Sequence, residues 1–147
     1  MKVKLYLNFP QYADKEDSVE LDNDIIENRE MLSLYPKAKK VYEDACSLFK
    51  FGIYERNLID NLRLTLELIC RQILSNERVL ENNVNDICSF LKNKNCSQEF
   101  INMFHKLLDY YLKYNNNNVK HNENINADEV TFVFGLTNLF IRLLVNQ

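Results

Sequence analysis

A chain of 147 residues that is 46% hydrophobic and 27% charged, with only two glycines and two prolines, has the composition of one helical globular domain and not of an all-β or loop-rich one. Its net charge of -3 and pI near 5.4 exclude a protein that holds duplex DNA by bulk electrostatics, which needs clustered Lys and Arg to displace counterions. The apolar runs are too short and interrupted to span a bilayer and the first residues lack the apolar core of a secretory leader, so a cytoplasmic protein without membrane contact is expected.

In chain order, residues 3 to 9 alternate Val3, Leu5, Leu7 and Phe9 with Lys4, Tyr6 and Asn8, the period-two pattern of a half-buried strand that Pro10 stops. A lone strand needs a partner, so this arm is expected to pair with another copy, dock a partner protein or lie over the helices. Residues 14 to 21 read as an acidic linker, which divides the chain into an extended arm and linker (1–21) and a helical domain (22–147), with a short helix starting near Asp22 or Asp24.

Pro36 suits the first turn of a helix with Val41, Ala45, Leu48 and Phe49 on one face, ended by Phe51-Gly52. From Tyr54 to Leu74, Leu58, Leu62, Leu66, Ile69 and Ile73 fall at spacings of 4, 4, 3 and 4 and form one stripe, with Glu55, Arg56, Arg63 and Arg71 on the outer face. Glu67 and Arg71, four apart, read as a surface ion pair. A shorter helix follows over Leu80–Leu91 with Val84, Ile87, Phe90 and Leu91 inward, then a polar loop from Lys92 to Cys96. Ser97 is a good N-cap for a helix whose stripe comprises Phe100, Met103, Phe104, Leu107, Leu108, Tyr111 and Leu112, with His105 facing outward or at the stripe's edge. Asn126-Ala127-Asp128-Glu129 resembles a capping box before a helix of about Ala127–Val145. That last helix is apolar on most of its circumference, which requires either a central place in the bundle or burial against another chain, and a homodimer contact is expected there.

Cys46, Cys70, Cys88 and Cys96 have no C-x-x-C spacing and lie mostly in helical apolar patterns, so they read as reduced core residues and not as a disulfide framework or a metal site. No Gly-rich phosphate loop, no paired metal ligands and no nucleophile signature are present, and neither cofactor nor metal is expected. Between Phe90 and His121, five lysines (92, 94, 106, 113 and 120) face Glu99 and Asp109, a local balance of +3 in an acidic chain. The stretch Lys113-Tyr114-Asn115-Asn116-Asn117-Asn118-Val119-Lys120-His121-Asn122 is where chemistry is expected, because it sets a titratable imidazole among amides and amines between two apolar helices. Tyr110, Tyr111 and Tyr114, at the end of the helix that delivers this tract, are candidates to stack on bases.

Three segments together resemble the HEPN superfamily of helical-bundle proteins, in particular its bacterial abortive-infection and phage-defence branch. They are Leu48-Phe49-Lys50-Phe51-Gly52-Ile53-Tyr54-Glu55-Arg56, similar to the turn joining that family's first two long helices; Asp60-Asn61-Leu62-Arg63-Leu64-Thr65-Leu66-Glu67; and Leu107-Leu108-Asp109-Tyr110-Tyr111-Leu112-Lys113-Tyr114 followed by Val119-Lys120-His121 and an apolar helix with Leu136-Thr137. The likeness spans roughly residues 36 to 147 and implies an all-α, HEPN-like bundle of about five helices below the amino-terminal arm. It further implies a metal-independent endoribonuclease, whose motif is an arginine, a polar residue and then a histidine with four to six residues between Arg and His, in a site two chains commonly share.

Counting back from His121 lands on Asn116, Asn115 and Tyr114, so the arginine of the motif is absent. Asn116 and Asn117 keep a polar position, His121 keeps the imidazole and Lys120 adjoins it, which makes His121, Asn116 and Lys120 the candidate catalytic residues and Lys113, Tyr114, Asn117 and Lys120 the candidate RNA contacts. Lysine brings charge without the bidentate fork that a guanidinium offers a phosphate, and in a composite site Arg63 or Arg71 could bring that fork from another helix. Three readings of His121 stay open: a lysine-assisted ribonuclease, a degenerate site that still binds RNA, and a histidine bonded within its turn in a non-catalytic adaptor, dimerisation module or antitoxin-like inhibitor.

Overall fold

Each amphipathic stripe in the sequence becomes a helix that turns its apolar side toward a shared core, and the computed structural model, which describes residues 22–119 and 125–146, is all-α. The order is α1 (22–31), a 3-10 turn over Leu32–Leu34, α2 (Pro36–Lys50), α3 (Arg56–Leu74), a 3-10 turn over Leu80–Asn83, α4 (Val84–Asn93), α5 (Gln98–Lys113) running on into a π-helical segment (Tyr114–Val119), and α6 (Ala127–Val145). These are six helices with no strand among the described residues, the sixth being the short α1 that starts at the acidic stretch. The arm, the linker, Lys120 and His121 lie outside the described residues.

Local chemistry explains the boundaries. Pro36 opens α2 at its first turn, where the missing N–H costs nothing. Its end is a Schellman motif: Gly52, at φ 72°, donates to the Phe49 carbonyl at 3.1 Å and Ile53 donates to the Leu48 carbonyl at 2.9 Å. Asn95, at φ 66°, ends α4 the same way, with its own N–H on the Lys92 carbonyl and the Cys96 N–H on the Leu91 carbonyl. Ser97 caps α5 through its Oγ, which accepts from the Phe100 N–H at 3.2 Å. Asn126 caps α6, its Oδ1 accepting from the Asp128 and Glu129 N–H groups at 2.8 and 3.1 Å.

Helix α3 is the spine. It packs on α2, α4 and α6 and also carries the π-helical segment. Leu58, Leu62, Leu66 and Ile69 are buried as their spacing predicts, joined by Ile59 and Cys70, while Ile73 is half-buried. On α2 the buried residues are Ala38, Tyr42 and Ala45; Val41, predicted inward, is half-buried because Tyr42 takes the centre of the face. On α5, Met103 is half exposed, whereas Ile101, absent from the predicted stripe, is buried. Both shifts have one cause: α5 is gripped from two sides, by α4 and by α6, so its buried arc is rotated from the stripe's own centre. His105 is exposed, as its place one residue past Phe104 suggests.

A polar triad pins α1 and α2 to α6. Tyr42 donates its hydroxyl to Asn138 Oδ1 at 2.6 Å, and Asn28 Nδ2 donates to the same oxygen at 3.1 Å and to the Asn138 carbonyl at 3.3 Å. All three side chains are buried, so the bonds fix the pairing of helices that apolar contact alone would leave free to slide. The four cysteines are free thiols: Cys70 is buried, the others half-buried, and burial pushes the Cys46 and Cys70 thiols up to about 12.

Candidate functional site

The polar tract is delivered by α5 without a break in helicity. Past Lys113 the backbone widens into π-helical turns over Tyr114–Val119, a geometry that recurs where helices build sites. The segment lies against α3. Asn115 is buried, donating Nδ2 to the Tyr111 carbonyl one turn back at 2.9 Å, and its Oδ1 has no hydrogen-bond partner among the described residues. Tyr114 is half-buried, and burial first and the Glu129 charge second hold its phenol above the usual range. Beneath it Tyr111 is buried, bonded to Thr137 Oγ1 at 2.8 Å, so it is a core residue and not a stacking platform. Tyr110 is exposed, with the Lys113 ammonium 5.9 Å from its ring and 3.0 Å from Asp109.

Asn116 reaches across the seam to α3's neighbourhood. Its Nδ2 donates to Glu81 Oε2 at 3.5 Å, and the other oxygen of Glu81 accepts from Arg63 Nη2. The guanidinium missing from the tract itself thus stands one carboxylate away from Asn116, supplied by α3. Arg63 was expected on the outer face; instead its side chain is only 23% exposed and its Nε is buried without a hydrogen-bond partner among the described residues.

The reason is Glu67. Expected as half of a surface pair, it is 5% exposed and sits between Arg63 at 3.5 Å and Arg71 at 3.1 Å, one turn to either side of it on α3. Its Oε1 also accepts the Leu80 N–H at 2.8 Å, which ties the α3–α4 connection to the spine. Arg71 Nε in turn donates to the Arg78 carbonyl at 2.9 Å, and Asn76 and Asn83 exchange amide bonds at 2.9 and 3.2 Å across the same connection. Once that loop folds onto α3, the face carrying Glu67 is covered and both arginines must bend over it. The bracketing of Glu67 by arginines four residues away on both sides was visible in the sequence; Glu81, in the 3-10 turn, carried no signal that could have found it.

Two guanidinium groups against two carboxylates make the cluster neutral. Burial pushes the Glu81 carboxyl up, but its own backbone N–H, the Arg63 charge and the bonds from Asn116 and Arg63 outweigh this and leave it below the usual range. Glu81 therefore stays ionised at neutral pH, and its hold on Arg63 is present above the ordinary glutamate range and lost only as pH falls beneath it.

Of the predicted site residues, the structure links Asn116 to Glu81 and through it to Arg63, sets Tyr114 half-buried against the core near the Glu129 charge, and leaves Lys113 exposed in a pair with Asp109. Asn117 belongs to the π-helical segment by its backbone. Among the described residues no group of three or more His, Cys, Asp or Glu converges as a metal site would require, and no helix is long and apolar enough to cross a membrane. Compared with protein-family models, with curated proteins and with solved structures, the chain matches none of them.

Proposed function

We propose that this chain is an RNA-directed module of HEPN type, a component of a bacterial phage-defence or toxin-antitoxin system that works in the cytoplasm. The observation that supports it is the seam itself: a π-helical polar segment laid on α3 with Asn116 linked through Glu81 to the Arg63 guanidinium. In this reading Arg63 does in space what the absent motif arginine would do in sequence, as the bidentate partner of a phosphate. Lys113, Tyr114, Asn117 and Lys120 contact the strand, and His121, with Asn116 and Lys120, is the acid–base group of a cleavage by the ribose 2′-hydroxyl that uses no metal.

Glu81 is then a competitor of the phosphate. Neutralising it frees the guanidinium, so Glu81→Gln is expected to tighten binding of a labelled single-stranded RNA several-fold, whereas Arg63→Ala weakens it, both read by fluorescence anisotropy with helicity checked by circular dichroism. If cleavage occurs, it persists in EDTA and is abolished by His121→Ala. RNA affinity indifferent to both Glu81→Gln and Arg63→Ala would sink the reading.

One observation favours a second reading. Each arginine of the seam already has a carboxylate partner, so the cluster has a sufficient structural role in holding the α3–α4 connection, and the chain then serves as a non-catalytic adaptor or antitoxin-like inhibitor. No RNA binding in any variant, with loss of activity in cells on charging Leu5 and Leu7, is the result it predicts.

A further inference from the structure

Helix α1 is held to the bundle mainly by polar contact. Among its described residues only Asn28 is buried; Ile25 and Met31 are half-buried against the core and Ile26 is 53% exposed. Helix α2, by contrast, buries Ala38, Tyr42 and Ala45, and α3 buries a whole stripe from Leu58 to Cys70. Apolar burial is what keeps a short helix in place, and α1 has little of it.

Ion pairs make up part of the difference. Arg142 Nη2 of α6 stands 3.2 Å from Asp24 and 3.3 Å from Glu27, and Arg29 Nη2 stands 3.0 Å from Glu43 of α2. All five side chains are at least 36% exposed, so salt screens these pairs. Residues 22–31 carry Asp22, Asp24, Glu27 and Glu30 against Arg29 alone, and Asp24–Glu27 and Glu27–Glu30 stand three apart, where like charges weaken a helix. Arg142 offsets the first of these repulsions. Away from it, α1 is an acidic stretch too short to stay helical in water.

The buried part of the joint sets register more than strength. Asn28 Oδ1, Asn138 Nδ2 and Arg142 Nε all lie at it, buried with no hydrogen-bond partner among the described residues. Water reaches all three once α1 lifts, which favours the lifted state. The bond of Tyr42 to Asn138 joins α2 to α6 without α1 and survives. The far end of α1 is anchored instead: Leu32 is fully buried, the Tyr35 N–H closes the 3-10 turn on the Leu32 carbonyl at 2.8 Å, and the Leu34 carbonyl accepts from Gln72 Nε2 of α3 at 2.8 Å.

We infer that α1 is a strap that opens separately from the bundle, hinged on the Leu32–Leu34 turn and held shut by Arg142 as a charge-sensitive catch. Opening unfolds α1, because its helix and its docking both depend on the same guanidinium. It uncovers the side of the α2–α6 junction that carries Tyr42 and Asn138, which Asn28 covers in the closed form. Helices α3, α4 and α5 keep their contacts throughout, since none of the bonds broken belongs to them. The strap is thus a conformational switch whose balance follows ionic strength: screening the catch favours the open form.

The test is hydrogen–deuterium exchange of the full chain, read by mass spectrometry. After correction for intrinsic rates, α1 amides are expected to exchange at least about tenfold faster than those at the centre of α3. Raising sodium chloride from about 20 mM to about 0.5 M is expected to speed α1 about threefold and to leave α3 unchanged. Arg142→Gln is expected to bring α1 to its high-salt rate already in low salt and to remove most of the further response. Arg56→Gln, which breaks the exposed pair with Asp60 away from α1, is expected to leave α1 as it is. Should Arg142→Gln lower the protection of α3 as well, Asp24→Asn with Glu27→Gln releases the same catch from the α1 side. Amides of α1 that exchange no faster than those of α3 overturn the strap. Fast α1 exchange that neither salt nor the catch variants change overturns the catch.

Discussion

Replacing Glu67 by alanine is expected to cost about 3–5 kcal/mol of folding stability, although a glutamate on an otherwise charged helix face would ordinarily be a surface position. The substitution leaves the Leu80 N–H without its acceptor and removes the shared carboxylate of Arg63 and Arg71, whose side chains are only 23% and 25% exposed. Burying an unpartnered donor and loosening two half-covered cations add in the same direction. Urea denaturation followed by circular dichroism measures the loss. Glu67→Gln keeps an acceptor for Leu80 but no charge, and is expected to fall between alanine and wild type. A loss below about 1 kcal/mol for alanine would place the cluster with ordinary exposed ion pairs.

The same cluster joins stability to the proposed chemistry. Arg63 is held by Glu67 on its own helix and by Glu81 on the 3-10 turn, and only the second of these touches Asn116. Removing Glu81 therefore releases the guanidinium toward the polar segment while Glu67 still anchors it. Removing Glu67 unfastens the turn that carries Glu81. The two glutamates are expected to differ in effect, one acting on ligand affinity and the other on the fold.

How far the sequence revealed this depends on the range of each interaction. Caps and stripes are local, so Pro36, Gly52, Ser97 and Asn126 marked their boundaries and the Leu58–Ile69 stripe marked the core face of α3. What periodicity could not fix is which arc of a helix its neighbours cover: Met103 and Ile101 exchange places on α5 because α4 and α6 approach it off the stripe's centre. Arg63 and Arg71 fooled the pattern for a different reason, since charge alone predicts solvent, and only the folding of a later loop onto α3 hides them. The meeting of Asn116 with Glu81, 35 residues apart, and of Asn28 with Asn138, 110 apart, are tertiary facts with no local trace.

Phe134→Ala is expected to be the most damaging of the core truncations, at about 3–5 kcal/mol, with Phe51→Ala, at an exposed ring, within about 0.5 kcal/mol of wild type. Both are phenylalanines in apolar surroundings of the sequence, and hydropathy does not separate them. Geometry does: Phe134 is fully buried, with its ring 4.6 Å from that of Phe49 and 6.2 Å from that of Tyr42, both edge-on. Truncation opens a cavity at the junction of α2 and α6, and the neighbours cannot close it, because Tyr42 is held by its bond to Asn138 and Phe49 by the Schellman turn that follows it. Thermal unfolding would then show a large fall in Tm for Phe134→Ala, and a small one would mean that α2 is free to slide toward α6, which the Tyr42–Asn138–Asn28 bonds are expected to forbid.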